Sequence, residues 1–243
     1  MAKEYEGTFD RQGQTKKQSE EEGQKIMLEL GKLYNMDCME GMKQFPDNYF
    51  ELAIVDPPYG IGAGSKKFIN KSSFNKKAQT FYKDNDWDTE RPPKTYFDEL
   101  QRVSKNQIVW GGNYFTDLLK PSRCFIVWDK KTGENSYADC ELALTSFDAN
   151  ARIFTKLWLG VHAQDDDGRI HPTQKPIKLY EWLLSKYANK GDKILDTHVG
   201  SASSLIACYN LGFDYVGFEL DKDYCDMAQK RLDGVKAQVR LWN

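Results

Sequence analysis

The sequence has little with which to build a cross-linked or metal-bound protein. Its five cysteines (Cys38, Cys124, Cys140, Cys208 and Cys225) are scattered and form no C-x-x-C pair. That spacing speaks against a disulfide framework or a structural zinc site and points to a reducing cytoplasm. Histidine is scarce as well: His162 and His171 have no ligand cluster beside them, so no metal site is expected. No apolar run approaches the ~20 residues of a membrane span, and the first residues show no signal-peptide pattern. An excess of charge is also missing. Lys and Arg number 34 against 36 Asp and Glu, a net charge of −2, so any contact with nucleic acid must rest on local patches. Finally there is no G-x-G-x-x-G, which removes the best support for an NAD-dependent oxidoreductase.

What the 243 residues do contain is a core's worth of apolar side chains, 40%, and many aromatics, 13%. These need a place to pack or a planar ligand to stack on. Residues 1–25 are polar and aperiodic and read as a loose tail, leaving 26–243 as one domain. Short apolar runs at 32–36, 51–55, 107–110, 124–128, 193–196 and 215–219 read as strands. Amphipathic segments at 39–45, 92–104, 177–188, 201–211 and 224–232 read as helices. Segments 141–146 and 152–156 read as a closing antiparallel pair. Such alternation implies an α/β fold, a mostly parallel sheet with helices on both faces. Two stretches, at about 60–91 and 160–171, stay unassigned and read as functional loop insertions.

The chemistry concentrates at AIVDPPYGIG, residues 53–62. Two prolines cannot continue a central strand, so the chain leaves the sheet there and Asp56 sits at a strand's carboxyl end, where open α/β sheets bind ligands. The Asp56 carboxylate and the Pro57 carbonyl offer two acceptors, Pro58 stiffens the loop, and Tyr59 adds a ring. That set suits a planar amine. An exocyclic amine of adenine or cytosine is a poor nucleophile because its lone pair is delocalised into the ring. Acceptors that grip both its hydrogens favour a pyramidal nitrogen aimed at a methyl donor. The target atom lies inside a duplex, so the base has to be flipped out. The bland alternative is an ordinary proline turn.

A second candidate is KILDTHVGSAS, residues 193–203: a strand, a turn through Gly200 and a helix, followed by a strand ending in Glu219. This order fits nucleotide binding, with close backbone approach at Gly200 and Glu219 for ribose hydroxyls. A βαβ unit without a ligand would look the same. In RIHPTQKP, Thr173 and Lys175 are placed to bind a carboxylate at a helix start; a plain helix-entry loop is the other reading. Asp37 ends a strand and could accept from an adenine amine, or simply cap the next helix.

Taken together these residues resemble the amino-methyltransferases of DNA. DPPY at 56–59 matches that family's catalytic tetrapeptide, HPTQKP at 171–176 the motif before its cofactor half, and 196–203 its glycine-rich loop. The catalytic motif precedes the cofactor loop, which is similar to the permuted beta group. WGGNYF at 110–115 and FIVWDK at 125–130 resemble small methylases of phages and mobile elements. The resemblance implies a Rossmann-like fold with a seven-stranded sheet containing one antiparallel strand, and S-adenosylmethionine as cofactor. It also implies contacts to that cofactor from Asp37, Cys38, Asp56, Thr173, Lys175, Asp196, Thr197, Gly200, Ser201, Ser203 and Glu219. It departs in one place: the loop usually reads Asp-Pro-Phe-x-Gly-x-Gly, whereas here Thr197, His198 and Ala202 replace Pro, Phe and the second Gly, so a Cβ could crowd the methionine moiety.

Double-stranded DNA is the expected partner. Lys66, Lys67, Lys71, Lys76 and Lys77 follow the catalytic motif with aromatics interleaved, a pattern suited to phosphate contacts; a solvated loop is the alternative. Asp165, Asp166 and Asp167 form a second candidate for base contacts. The reading that results is a site-specific adenine-N6 methyltransferase. N4-cytosine methylation and a silent DNA-binding module are the alternatives, and a homodimer is left open. All of it requires the Asp56 and Gly200 turns to face one cleft.

Overall fold

A computed structural model of the chain describes residues 28–63, 87–133, 138–158, 170–171 and 173–240. The tail at 1–25, Lys66, Lys67, Lys71, Lys76 and Lys77, and the Asp165–Asp167 run lie outside the described residues. The strands are β1 (Lys32–Asn35), β2 (Phe50–Val55), β3 (Ser104–Trp110), β4 (Phe125–Asp129), β5 (Cys140–Thr145), β6 (Arg152–Thr155), β7 (Lys193–Asp196) and β8 (Asp214–Glu219). The helices are α1 (Cys38–Met42), α2 (Lys94–Val103), α3 (Ile177–Tyr187), α4 (Ser203–Leu211) and α5 (Lys222–Arg240). Among the described residues no helix is long and apolar enough to cross a membrane.

The strands form one sheet in the order β1-β8-β7-β2-β3-β5-β4-β6. All neighbours are parallel except β5, which runs against both β3 and β4. The mostly parallel sheet and its one reversed strand follow the expectation; the strand count is eight, not seven. The additional member is β6, a four-residue edge strand paired in parallel with β4. The expected antiparallel pairing of 141–146 with 152–156 does not form. Both edges of β5 are already taken by β3 and β4, so β6 docks on β4's outer edge.

Side chains alternate cleanly across the central strands. Leu52, Ile54, Ile108, Trp110 and Ile194 join α3 and α4 side chains on one face; Ala53, Val55, Val109 and Leu195 join Tyr96, Phe97 and Leu100 of α2 on the other. Both faces are dry, which is why these strands read as near-continuous apolar runs. The reversal between α2 and β3 is tighter than the sequence suggests: the helix ends at Val103 and the strand starts at Ser104. The hydroxyl of Ser104 donates to the Leu100 carbonyl at 2.5 Å, satisfying one of the orphan acceptors of that helix end.

Candidate active site

The parallel run β1-β8-β7-β2 carries an acid at or just beyond the carboxyl end of each strand: Asp37, Glu219, Asp196 and Asp56. The Asp56 and Gly200 turns therefore leave adjacent strands, β2 and β7, at the same edge of the sheet. They share one cleft mouth, as an open α/β sheet requires of its ligand site.

Asp56 is fully engaged on both oxygens. Its Oδ1 accepts from the Tyr59 hydroxyl at 2.5 Å, and its Oδ2 pairs with the buried Lys175 ammonium. Each carboxylate oxygen has a second lone-pair direction, so both can still accept. Burial and the neighbouring Asp56 raise the Tyr59 pKa well above its ordinary value, so that hydroxyl stays a donor. The Tyr59 ring stacks on Tyr114, centroids 4.8 Å apart and planes 16° from parallel, with Phe115 at its edge. This packing depends on Gly111, at φ +67°, where a Cβ would come within 2.2 Å of the Tyr59 ring. The WGGNYF segment is therefore the wall against which Tyr59 is set.

The loop beyond Tyr59 is pinned by a residue that sequence reasoning missed. Asp88, 2% exposed, accepts from the backbone N–H groups of Tyr59 (2.5 Å), Gly60 (3.0 Å) and Ala63 (2.7 Å). Its own carbonyl accepts from Gly62 at 2.8 Å. A carboxylate taking several backbone donors is a strong local brace. No motif announced it, because its 25–29 residue separation from those partners carries no periodic signal.

At the 196–203 turn, Asp196 is buried, accepting from the Ser204 hydroxyl and from the His198 N–H at 3.0 Å. Burial, opposed by those two hydrogen bonds and reinforced by Asp56 and Glu219, pushes its pKa up to about 7. Glu219 accepts from Gly200 N–H (2.8 Å) and Asp221 N–H (3.0 Å), and burial raises its pKa also. Thr197 Oγ1 lies 2.6 Å from the Tyr96 hydroxyl and 2.9 Å from His198 Nδ1. Burial drives the His198 pKa down to about 4, so the imidazole is neutral near pH 7. Asp37 caps α1, accepting from Met39 N–H (2.8 Å) and Glu40 N–H (3.2 Å). Cys38 opens that helix, with burial and Asp37 lifting its thiol to about 12.

Other residues of these motifs have partners within the protein. Ser201 and Ser203 are buried, and Arg231 donates to the Ser201 carbonyl (2.7 Å) and to Ser203 Oγ (2.9 Å), so this pair is tied into the interior. Thr173 Oγ1 lies 3.1 Å from His171 Nδ1. Lys175 has two carboxylate partners from the protein itself, Asp56 and Glu141 Oε2 at 3.1 Å. Ala202 takes the left-handed conformation, φ +63°, at the N-cap of α4. This is the position where the resembling loop carries glycine, so the substitution retains the backbone shape at some strain.

Comparison with known proteins agrees with this fold. Type II methyltransferase M.HpaI of Haemophilus parainfluenzae is 25% identical over 239 residues, covering 81% of this chain and 72% of that protein. The M1.HpyAVI–SAM complex superposes with a TM-score of 0.52 at 18% identity, covering 82% of this chain and 98% of that one. The cytosine-N4-specific PvuII DNA methyltransferase gives 0.56 at 12% identity, with 87% and 92% covered. The N6/N4 methyltransferase family model, described as DNA methylase, matches residues 106–230, just over half the length, and the chain belongs to that DNA methylase family.

Proposed function

We propose that this DNA methylase transfers a methyl group from S-adenosylmethionine to adenine N6 of a base flipped out of duplex DNA. The observation that carries the reading is the position of Asp56: a carboxylate at the carboxyl end of β2, beside the turn at 196–203, with an aromatic wall behind it. The donor set fits the cofactor. Asp37, Asp56, Asp196 and Glu219 rim the mouth, and a sulfonium with an α-ammonium is a cationic ligand that such a rim favours. Asp37 and Glu219 are assigned to the nucleoside, the Gly200 turn and Thr173 to the remainder. The relative's name as a type II methyltransferase and the fold neighbour's complex with SAM support the cofactor.

When bound, the cofactor supplies an electrophilic methyl group. The residues supply orientation. Asp56 and the Pro57 carbonyl accept the two amine hydrogens and turn the nitrogen lone pair out of conjugation. Pro57 is buried and Pro58 half-buried, so the acceptors are held on a stiff loop. The Tyr59–Tyr114 stack offers an aromatic surface for the extruded base. Lys66, Lys67, Lys71, Lys76 and Lys77 are assigned to the phosphates on their sequence pattern. Adenine is chosen because the tetrapeptide begins with Asp. Incubation with labelled S-adenosylmethionine and unmethylated DNA, followed by digestion to nucleosides, tests the reading. N6-methyladenine is expected. N4-methylcytosine would transfer the same geometry to the other amine, and no label in DNA would reject the proposal. Asp56→Asn is expected to lower turnover by at least about 100-fold.

A further inference from the structure

The sequence pattern assigns Lys175 to a ligand carboxylate, yet its ammonium is enclosed by the protein. It is 3% exposed and pairs with Asp56 Oδ2 and Glu141 Oε2, and the Trp110 ring lies 5.3 Å away. Of the ammonium's three donors, one is hydrogen-bonded to Asp56; Glu141 Oε2 is an ion-pair partner at 3.1 Å that lacks hydrogen-bond geometry, and the indole face closes the pocket. Glu141 Oε1 in turn pairs with Lys130 at 2.5 Å, so charges alternate along Asp56, Lys175, Glu141 and Lys130.

The topology explains how Glu141 arrives there. β5 is the reversed strand, and Trp110 at the end of β3 pairs with Ala143 while Trp128 near the end of β4 pairs with Glu141. The start of β5 therefore lies at the edge where the parallel strands finish, and its second residue reaches the catalytic rim. We propose that Glu141 is a positioning residue for Asp56, acting through Lys175, and that Lys175 belongs to this chain of charges rather than to the cofactor's carboxylate. The inference rests on Asp56 being the amine acceptor.

Physically, a lone ammonium on Asp56 would draw that carboxylate toward itself and away from the amine. Glu141 shares the ammonium and fixes its place, leaving Asp56 oriented by two defined donors, Lys175 and Tyr59. Burial works against the charge on Lys175, and Asp56 and Glu141 together outweigh it and raise its pKa. Glu141 is held below its ordinary range against its own burial by Lys175 and Lys130. Among the described residues the titratable groups facing this cluster are Asp56, Tyr59, Tyr96, Lys130, Glu141, Tyr180 and Asp196. Removing Glu141's charge leaves burial acting on Lys175 with one carboxylate in opposition, so its pKa falls.

The test uses the full chain with Asp56→Asn, Glu141→Gln, Lys130→Met and Lys175→Met. It measures kcat, its pH profile and calorimetric binding of S-adenosylhomocysteine. Glu141→Gln is expected to lower kcat by about 10- to 100-fold and to move the alkaline limb of the profile to lower pH. Its affinity for S-adenosylhomocysteine should stay within about threefold of native, which also reports that it folds. Lys130→Met, farther along the chain of charges, should act in the same direction by about 2- to 10-fold, and keeps the test open if Glu141→Gln does not fold. Native kcat and pH profile in Glu141→Gln, with Asp56→Asn inactive, overturn this inference and leave the function standing. Lys175→Met with native kcat but about 100-fold weaker S-adenosylhomocysteine binding overturns it too, by returning Lys175 to the cofactor. An active Asp56→Asn overturns both proposals.

Discussion

The two halves of the cleft manage negative charge in opposite ways. At the end of β2 the acids have strong donors: part-buried Asp56 has an ammonium and a phenol, and buried Asp88 has three backbone N–H groups. At the 196–203 turn the acids have only a hydroxyl and backbone donors, and Asp196 feels repulsion from Asp56 and Glu219. Burial and neighbouring carboxylates hold Asp196 and Glu219 above their ordinary pKa range, an environment that a cationic ligand would relieve.

The contrast can be broken most severely at Asp88. Asp88→Ala removes the acceptor of the Tyr59, Gly60 and Ala63 N–H groups, of which the Ala63 bond is buried and the other two part-buried, and should destabilise the fold by about 2–4 kcal/mol in denaturant titration. Asp88→Asn keeps one acceptor oxygen and should cost about half as much. A loss under ~1 kcal/mol for the alanine variant would show that the brace is dispensable.

Next comes the pH dependence of the turn. The Asp196 pKa rises from 3.8 to about 7, so the folded chain holds its proton more tightly than the unfolded one. Stability from this group therefore declines as pH rises from about 4 to 7 and is level above that, a span of roughly 2–4 kcal/mol. His198 slopes the other way: its pKa falls from 6.5 to about 4, so stability from it increases over that interval. The two nearly cancel in the native chain. Asp196→Asn should expose the rising His198 slope in pH-dependent unfolding, and His198→Phe the falling Asp196 slope. A flat profile in both variants would refute the assignment.

Smaller effects sharpen the comparison. Tyr114→Ala removes the ring stacked on Tyr59 and should cost about 1 kcal/mol of stability and raise KM for DNA several-fold, with S-adenosylhomocysteine binding unchanged. Ala202→Gly relieves a left-handed backbone but deletes a buried methyl, so its unfolding free energy should lie within about 1 kcal/mol of native. A larger change in either direction would mean that one term dominates.

Much of the fold was legible in the sequence because strands buried on both faces appear as short apolar runs, as β2 and β7 do, and because the prolines after Val55 end a strand by chemistry. The facing of Asp56 and the Gly200 turn followed from that logic. The order of β4, β5 and β6 did not, since edge pairing is decided by which hydrogen-bonding edges remain open and leaves no local pattern. For the same reason the partners of Lys175 were missed. HPTQKP revealed a lysine at a helix entry, but Glu141, 34 residues upstream in sequence, becomes its neighbour only once β5 is reversed. The caps show the opposite limit: Asp37 fits both a ligand and a helix start, and the structure shows it capping α1.

The reversal of β5 also makes register decide whether Glu141 meets Lys175. Strand side chains point to alternate faces, so a slip of one residue against β3 and β4 would carry Glu141 to the opposite side of the sheet. Lys175 would then keep Asp56 as its one carboxylate partner, although every backbone ladder bond could re-form. Sequence changes in the connection between Lys130 and Cys140 thus keep the Asp56–Lys175–Glu141 cluster only while they leave that alignment intact, and the hydrogen-bonded ladder serves as the ruler that sets where Glu141 comes to rest.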